Sequence, residues 1–312
     1  MQSKSVIFFG TDEIGSCVLE KLINLKANII AVVTRADKPS GRNKKIIVGQ
    51  VKQIALDHNI KVFQPEKLSD VLNELSSLKP DLILTCSYGK IIPIEIINLP
   101  KYHCVNIHPS LLPKYRGASP MQGAILNNET ETGVTFMFVT KALDEGDILF
   151  QEKIQMSNNE TLFSLKSKVK NTIELMLEKY YDQLFDLNIK HFPQDNQKAS
   201  YISIIDANQE KIDWNESAIR IDAKVRALYD KPIAYTVYEG QRIKIFSMEV
   251  TNDNVKDNNC GLITEIDKTG ISVQTQDKII KITKIQIPGK NPVEIKQIIN
   301  GKHIFKVNTK FN

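Results

Sequence analysis

An open α/β sheet followed by a small antiparallel barrel is the architecture this sequence predicts, and three patterns carry the prediction. The first is a β–α–β order at the start. SVIFFG over 5–10 is an apolar run, Ile14, Cys17, Val18, Leu22 and Leu25 repeat at helical spacing, and NIIAVVT over 28–34 is a β-branched strand run. The second is DLILTCS over 81–87, a continuous apolar run of the kind a strand buried on both faces requires. The third is a change of texture from Tyr235 onward. There AYTVY, IKIFSMEV, GLITEI, GISVQT, KIIKITKIQI and HIFKV recur between Gly, Asn and Asp turns, as in an OB-like barrel.

Length and composition agree with two such parts. The 312 residues suit two domains that each bury a core, and 25% charged with 42% hydrophobic residues argues against disorder. No apolar run reaches the roughly 18 residues that span a bilayer. The start MQSKSVIFFG lacks the basic, apolar and small-residue regions of a secretory signal, so the expectation is a cytoplasmic protein with no membrane association. Cys17, Cys86, Cys104 and Cys260 are singletons without metal-ligand spacing, which reads as buried apolar residues and no metal.

Taken in order, Thr11 or Asp12 can cap the first helix. The turn Gly10 to Gly15 lacks GxGxxG spacing and places two acids where a pyrophosphate needs bare amides, which argues against a dinucleotide site. Residues 35–48 then concentrate Arg35, Lys38, Arg42, Lys44 and Lys45 against Asp37, with Pro39 and Gly41 breaking regular structure. This is a basic loop at the carboxyl end of the second strand, suited to phosphates. A helix over 49–59, a short strand over 60–63 and a helical stretch to Leu78 lead into the buried strand. Its exit, Ser87 to Pro93, brings Tyr88, Ile91 and Ile92 to one sheet edge, as the wall of an apolar pocket or as packing beneath the next helix.

The candidate chemistry lies in 104–147. Asn106 and His108 are two apart on a strand that ends at Pro109, so their side chains share a face. A carboxamide donates hydrogen bonds without changing charge and an imidazole moves a proton near neutrality, a pair suited to an oxyanion developing on a carbonyl carbon. Ser110-Leu111-Leu112-Pro113 is a loop bounded by prolines, and Ser119-Pro120 opens the helix MQGAIL. After the strand GVTFMFV, Asp144 sits at a corner from which it can reach back to orient His108. From 160 to 187 a helical stripe of Leu162, Leu165, Val169, Ile173, Met176, Leu177 and Leu184 follows. Residues 188–206 are polar and without periodicity, as a linker draped over the surface. From Lys278 to the end eight Lys face one acid, Glu294, which points to a polyanionic partner.

SYGKIIP, NIHPSLLPKYRGASPMQGAIL, ETGVTFMFV and LDEGDIL together resemble the motifs of the methionyl-tRNA formyltransferases, and the likeness extends to ADKPSGRNKK and KIDWNESAIRIDAKVRAL. The resemblance implies a Rossmann-like formyltransferase domain over 1–189, a linker over 190–206 and an OB-like tRNA-binding domain over 207–312. It implies formyl transfer from 10-formyltetrahydrofolate to the methionine amine of initiator methionyl-tRNA, by a monomer that needs no metal. Asn106, His108 and Asp144 take the catalytic places, Ser110, Leu111, Leu112, Pro113, Tyr88 and Ile91 the folate places, and Arg42, Lys44 and Lys45 the tRNA places. Asn106, His108 and Asp144 are shared by folate-dependent formyltransferases that act on small amines, so a small-molecule acceptor is the alternative. A non-enzymatic RNA-binding protein with a decayed α/β domain is the third reading.

Overall fold

The computed structural model describes residues 4–40, 45–229, 232–255, 259–299, 301 and 303–312. They fall into two compact units. One takes Met1–Pro120, Glu131–Gln155 and Lys166–Ser203, and the other Met121–Thr130, Met156–Leu165 and Ile204–Asn312. Four of the described stretches in the first unit follow the sequence patterns closely: strand Ser5–Gly10, helix Glu13–Asn24, strand Asn28–Val33 and strand Leu82–Cys86. Asp12 caps the helix, its carboxylate accepting from the Ile14 and Gly15 amides at 3.0 and 3.1 Å.

The sheet of this unit runs Ile148–Gln155, Glu131–Phe138, His103–His108, Leu82–Cys86, Ser5–Gly10, Asn28–Val33, Val62–Phe63. Strands from Val62–Phe63 to His103–His108 are parallel, and Glu131–Phe138 and Ile148–Gln155 join antiparallel. Central position explains the unbroken apolar runs. Val6 to Phe9 and Leu82 to Leu84 are fully buried, since both faces of a parallel sheet are covered. Each such side chain contributes about 1.5–3 kcal/mol by leaving water.

Two regions depart from the expected picture. The basic loop is a hairpin at its base, because Lys38–Ser40 pairs antiparallel with Lys45–Ile47. The supposed surface linker is laced down: Tyr201–Ile202 pairs in parallel with Arg116–Gly117, and Phe192 bridges Ile148. Polar residues without periodicity can be bonded as firmly as a strand when their partners are other loops.

In the second unit the strands Tyr235–Tyr238, Gln241–Asn254, Lys278–Gln286, Ile271–Gln274 and Ile263–Ile266 form an antiparallel sheet in that order, with Val293–Glu294 added on Lys278–Gln286. Register shifts along Gln241–Asn254 mark bulges, which bend a long strand and let its sheet curl. Ile243, Ile245, Ile280, Ile282 and Ile285 turn inward to the core shared with helix Ala218–Ala227. HIFKV is not a strand. Phe305 enters an aromatic cluster with Tyr238 and Phe311, and the Lys306 amide donates to the Tyr238 hydroxyl instead of to a ladder. Arg226 ties the two inserted segments to the helix, donating to Asp222, to the Glu160 carbonyl and to the Asn128 side chain at 2.7, 3.1 and 2.6 Å.

Candidate active site

Strand His103–His108 ends with Asn106 and His108 on one face, as its period of two requires. Cys104 shares that face and packs in one apolar cluster with Tyr88, Ile92, Ile96, Ile97 and Val139. The polar pair therefore sits beside an apolar wall. Asn106 is half-buried and His108 almost wholly buried.

His108 is clasped from two sides. Its Nε2 lies 2.9 Å from the Tyr115 carbonyl oxygen, which only accepts, so Nε2 carries a proton. Its Nδ1 faces Asp144, whose Oδ2 is 3.7 Å away. That is longer than a hydrogen bond, and catalytic hydrogen bonds commonly tighten only with substrate in place. Asp144 is itself anchored, its Oδ2 accepting from the Gly117 amide at 2.8 Å. Both supports of the imidazole are left-handed, Tyr115 at φ 61° and Asp144 at φ 53°. Such non-glycine residues cost about 1–3 kcal/mol each and persist only where neighbours hold them, which is common at working sites.

The loop Ser110 to Pro113 is fastened to the sheet. Thr135 Oγ1 donates to the Ser110 carbonyl at 2.7 Å and accepts from the Leu112 amide at 3.2 Å, while Gln151 Nε2 donates to the Leu112 carbonyl at 2.8 Å. Ser110 and Leu112 are buried, and Leu111 and Pro113 keep part of their surface open. Tyr88 is buried against Phe9, edge to face at 5.3 Å. Burial pushes its phenol up to about 12, and its hydroxyl has no hydrogen-bond partner among the described residues. Ile91 stands 82% exposed and outside the apolar cluster; Ile92, beside it, is the residue packed there. Alternate residues of an irregular exit loop turn opposite ways, and the sequence does not say which one turns in.

Arg35 is one of the cations of the basic stretch, yet its guanidinium turns to the chain's own backbone. Nε donates to the Tyr88 carbonyl at 3.0 Å and Nη2 to the Gly89 carbonyl. Gly89 stands at φ 71°, a left-handed backbone that favours glycine, and its bare Cα leaves room for the guanidinium. Lys45 lies on the hairpin strand opposite Ser40, and Arg42 and Lys44 lie outside the described residues. At the hairpin's base Lys52 holds the Asp37 carboxyl below the usual carboxylate range, with a hydrogen bond from Gln64 beside it. Among the described residues no three His, Cys, Asp or Glu side chains are grouped to hold a metal, and no helix is long and apolar enough to cross a membrane.

The sequence reading did not single out Arg116 or Gln194 as site residues. Arg116 is almost fully buried, and its guanidinium donates to Gln194, Asn196 and Tyr201. A polar stretch beyond a helix carries no local signal that it will return to the site.

Residues 3–178 match the family model described as Formyl transferase, and residues 204–303 match Formyl transferase, C-terminal domain. A methionyl-tRNA formyltransferase of Ureaplasma parvum is 42% identical over 304 residues, covering 96% of this chain and 98% of the relative. One from Malacoplasma penetrans is 38% identical over 307 residues, covering 98% and 96%. Among solved structures, an N-formyltransferase from Helicobacter canadensis in complex with folinic acid and dTDP-3-aminofucose shares the fold. Its TM-score is 0.67 at 24% identity, covering 89% of this chain and 98% of that one.

Proposed function

This chain belongs to the methionyl-tRNA formyltransferase family, and on that premise we propose that it moves the formyl group of 10-formyltetrahydrofolate onto the α-amino group of methionine esterified to initiator tRNA. The observation that carries the reading is that relatives of this one name match almost the whole chain, both parts included.

The site is of a kind that fits a folate. An apolar cluster lies on the face of the catalytic pair, and one buried hydroxyl, that of Tyr88, lacks a described partner. Tyr88, Ile92 and the cluster around Val139 would hold the flat apolar part, with Leu111 and Pro113 as the open rim of the Ser110–Pro113 loop. When bound, 10-formyltetrahydrofolate supplies the formyl carbon as an electrophile on N10.

The attacking group is the free amine of the acceptor, so the protein needs no nucleophile of its own. Asn106 donates its carboxamide N–H to the formyl oxygen as negative charge develops there. His108, its Nε2–H spent on the Tyr115 carbonyl, works through Nδ1, which faces Asp144, and Asp144 receives the amine proton and relays it to N10. The C–N10 bond breaks as the new amide C–N bond forms. Arg42, Lys44 and Lys45 of the basic stretch meet acceptor-end phosphates, and the 207–312 part holds the tRNA flank through its lysines.

The test is formyl transfer by purified protein from 10-formyltetrahydrofolate, comparing charged initiator tRNA, charged elongator tRNA and small amines such as amino sugars. Formylation of initiator methionyl-tRNA supports the reading. Transfer to small amines alone, or no transfer, overturns it.

A further inference from the structure

We propose that residues 192–202 form a positioning strap for the transfer site, with Arg116 and Gln194 holding Asp144, and through it His108, in working geometry. The inference rests on the Asn106, His108 and Asp144 reading above.

Arg116 is the pivot. Its side chain is 1% exposed, so its N–H groups need acceptors, and the strap supplies three. Nε and Nη2 donate to Gln194 Oε1 at 3.0 and 2.8 Å, Nη2 also to Asn196 Oδ1 at 2.7 Å, and Nη1 to the Tyr201 hydroxyl at 2.9 Å. Glu145 Oε1, next to Asp144, lies 3.3 Å from Nη1 and accepts from the same tyrosine hydroxyl.

A guanidinium can only donate, so Gln194 must present its oxygen to Arg116. That dictates where its NH2 goes: to the carbonyls of Asp144 and Gly146, each at 2.8 Å. Both donors of one amide are spent on the corner that carries the catalytic carboxylate. The corner is left-handed at Asp144 and needs holding.

The other support of His108 is tied to the same strap. Ser200 Oγ accepts from the Tyr115 amide at 2.9 Å, and the Ser200 carbonyl accepts from the Arg116 amide at 2.8 Å. Gly117, at φ 112°, lets the strap approach: a Cβ there would stand 2.3 Å from the Ile202 carbonyl oxygen. One segment thus fixes the Tyr115 carbonyl on one side of the imidazole and the Asp144 carboxylate on the other. A linker that only joins two parts of a chain has no need of either contact.

Gln194→Glu is the discriminating variant, since it keeps an acceptor for Arg116 at the same length but removes both N–H donors to the Asp144 corner; Gln194→Ala is the second. We expect kcat to fall about 10- to 100-fold while KM for tRNA and for folate stays within about twofold. The 15N signals of the His108 ring, recorded without substrate, should shift against wild type while the melting temperature moves by a few degrees at most. Unchanged kcat and unchanged ring signals in either folded variant, or a loss confined to KM, would overturn the strap. The ring signals need no substrate. A wild type that formylates no tRNA would therefore sink the functional reading while the effect of Gln194 on His108 could still be read.

Discussion

Around His108 the chain is held by directional bonds: a carbonyl at Nε2, a carboxylate at Nδ1, and a buried guanidinium and carboxamide behind them. The core of the second unit is held by the opposite means, with Ile221, Ile243, Ile280, Ile282 and Val273 fully buried and Trp214 stacked on Phe311. Burial of apolar area is roughly proportional to area and indifferent to direction, so it specifies a fold and tolerates volume-conserving changes. Hydrogen bonds specify angles and tolerate little, and their loss leaves buried groups unmet. The site proposed around His108 needs the second kind, because catalysis depends on geometry.

The contrast can be broken from either side. Ile243→Ala should lower stability by about 2–5 kcal/mol, measured by urea denaturation, while the folded fraction keeps its kcat. A matching loss of kcat per folded molecule would show that the core also sets site geometry. His108→Ala and Asp144→Asn should do the reverse, cutting kcat about 10²-fold or more with little change in melting temperature. Gly117→Ala should cost about 1–3 kcal/mol of backbone strain, seen in melting, and reduce kcat by disturbing the strap. An alanine accepted without change in either would mean that the strap is not in close contact.

Smaller effects probe the charged surfaces. Arg42→Ala should raise KM for tRNA and lower the salt slope by about one, with folate binding untouched. A change in folate affinity would move that residue into the folate part of the site. Least of all, Asp267→Asn should remove a modest pH-dependent stabilisation. Hydrogen bonds from Thr269 and Lys281 hold the Asp267 carboxyl well below the usual range. A depressed carboxylate stabilises above its unfolded pKa and loses that contribution as pH falls through its folded one. The melting difference between wild type and variant should accordingly be present at pH 7 and shrink in strong acid; a constant difference would argue against this coupling.

Much of this was open to reading from residues alone. Leu82 to Cys86 had to be a central strand, and the stripe from Leu162 to Leu184 had to be buried, because periodicity and apolar run length are properties of a local backbone. Asn106 and His108 had to share a face for the same reason. Misreadings fell where backbone groups find partners far off. HIFKV has a strand's alternation but lends its backbone to Tyr238, and Ile91 and Ile92 cannot be told apart without the sheet edge they leave. Residues 188–206 looked like a solvated linker because a polar side chain has the same local signature whether water or Arg116 meets it.

The sequence by itself determined the central strands and the long helices, the shared face of Asn106 and His108, the acid that can reach back to it, and the family. Each follows from short-range spacing or from whole-chain likeness. Only the tertiary structure decided that Arg116 is buried, that Arg35 turns to the Gly89 backbone, and that Gln194, 50 residues beyond Asp144, returns to hold its backbone. Those contacts join residues far apart along the chain, and no local preference encodes which distant donor will meet which acceptor until the sheet has brought them together.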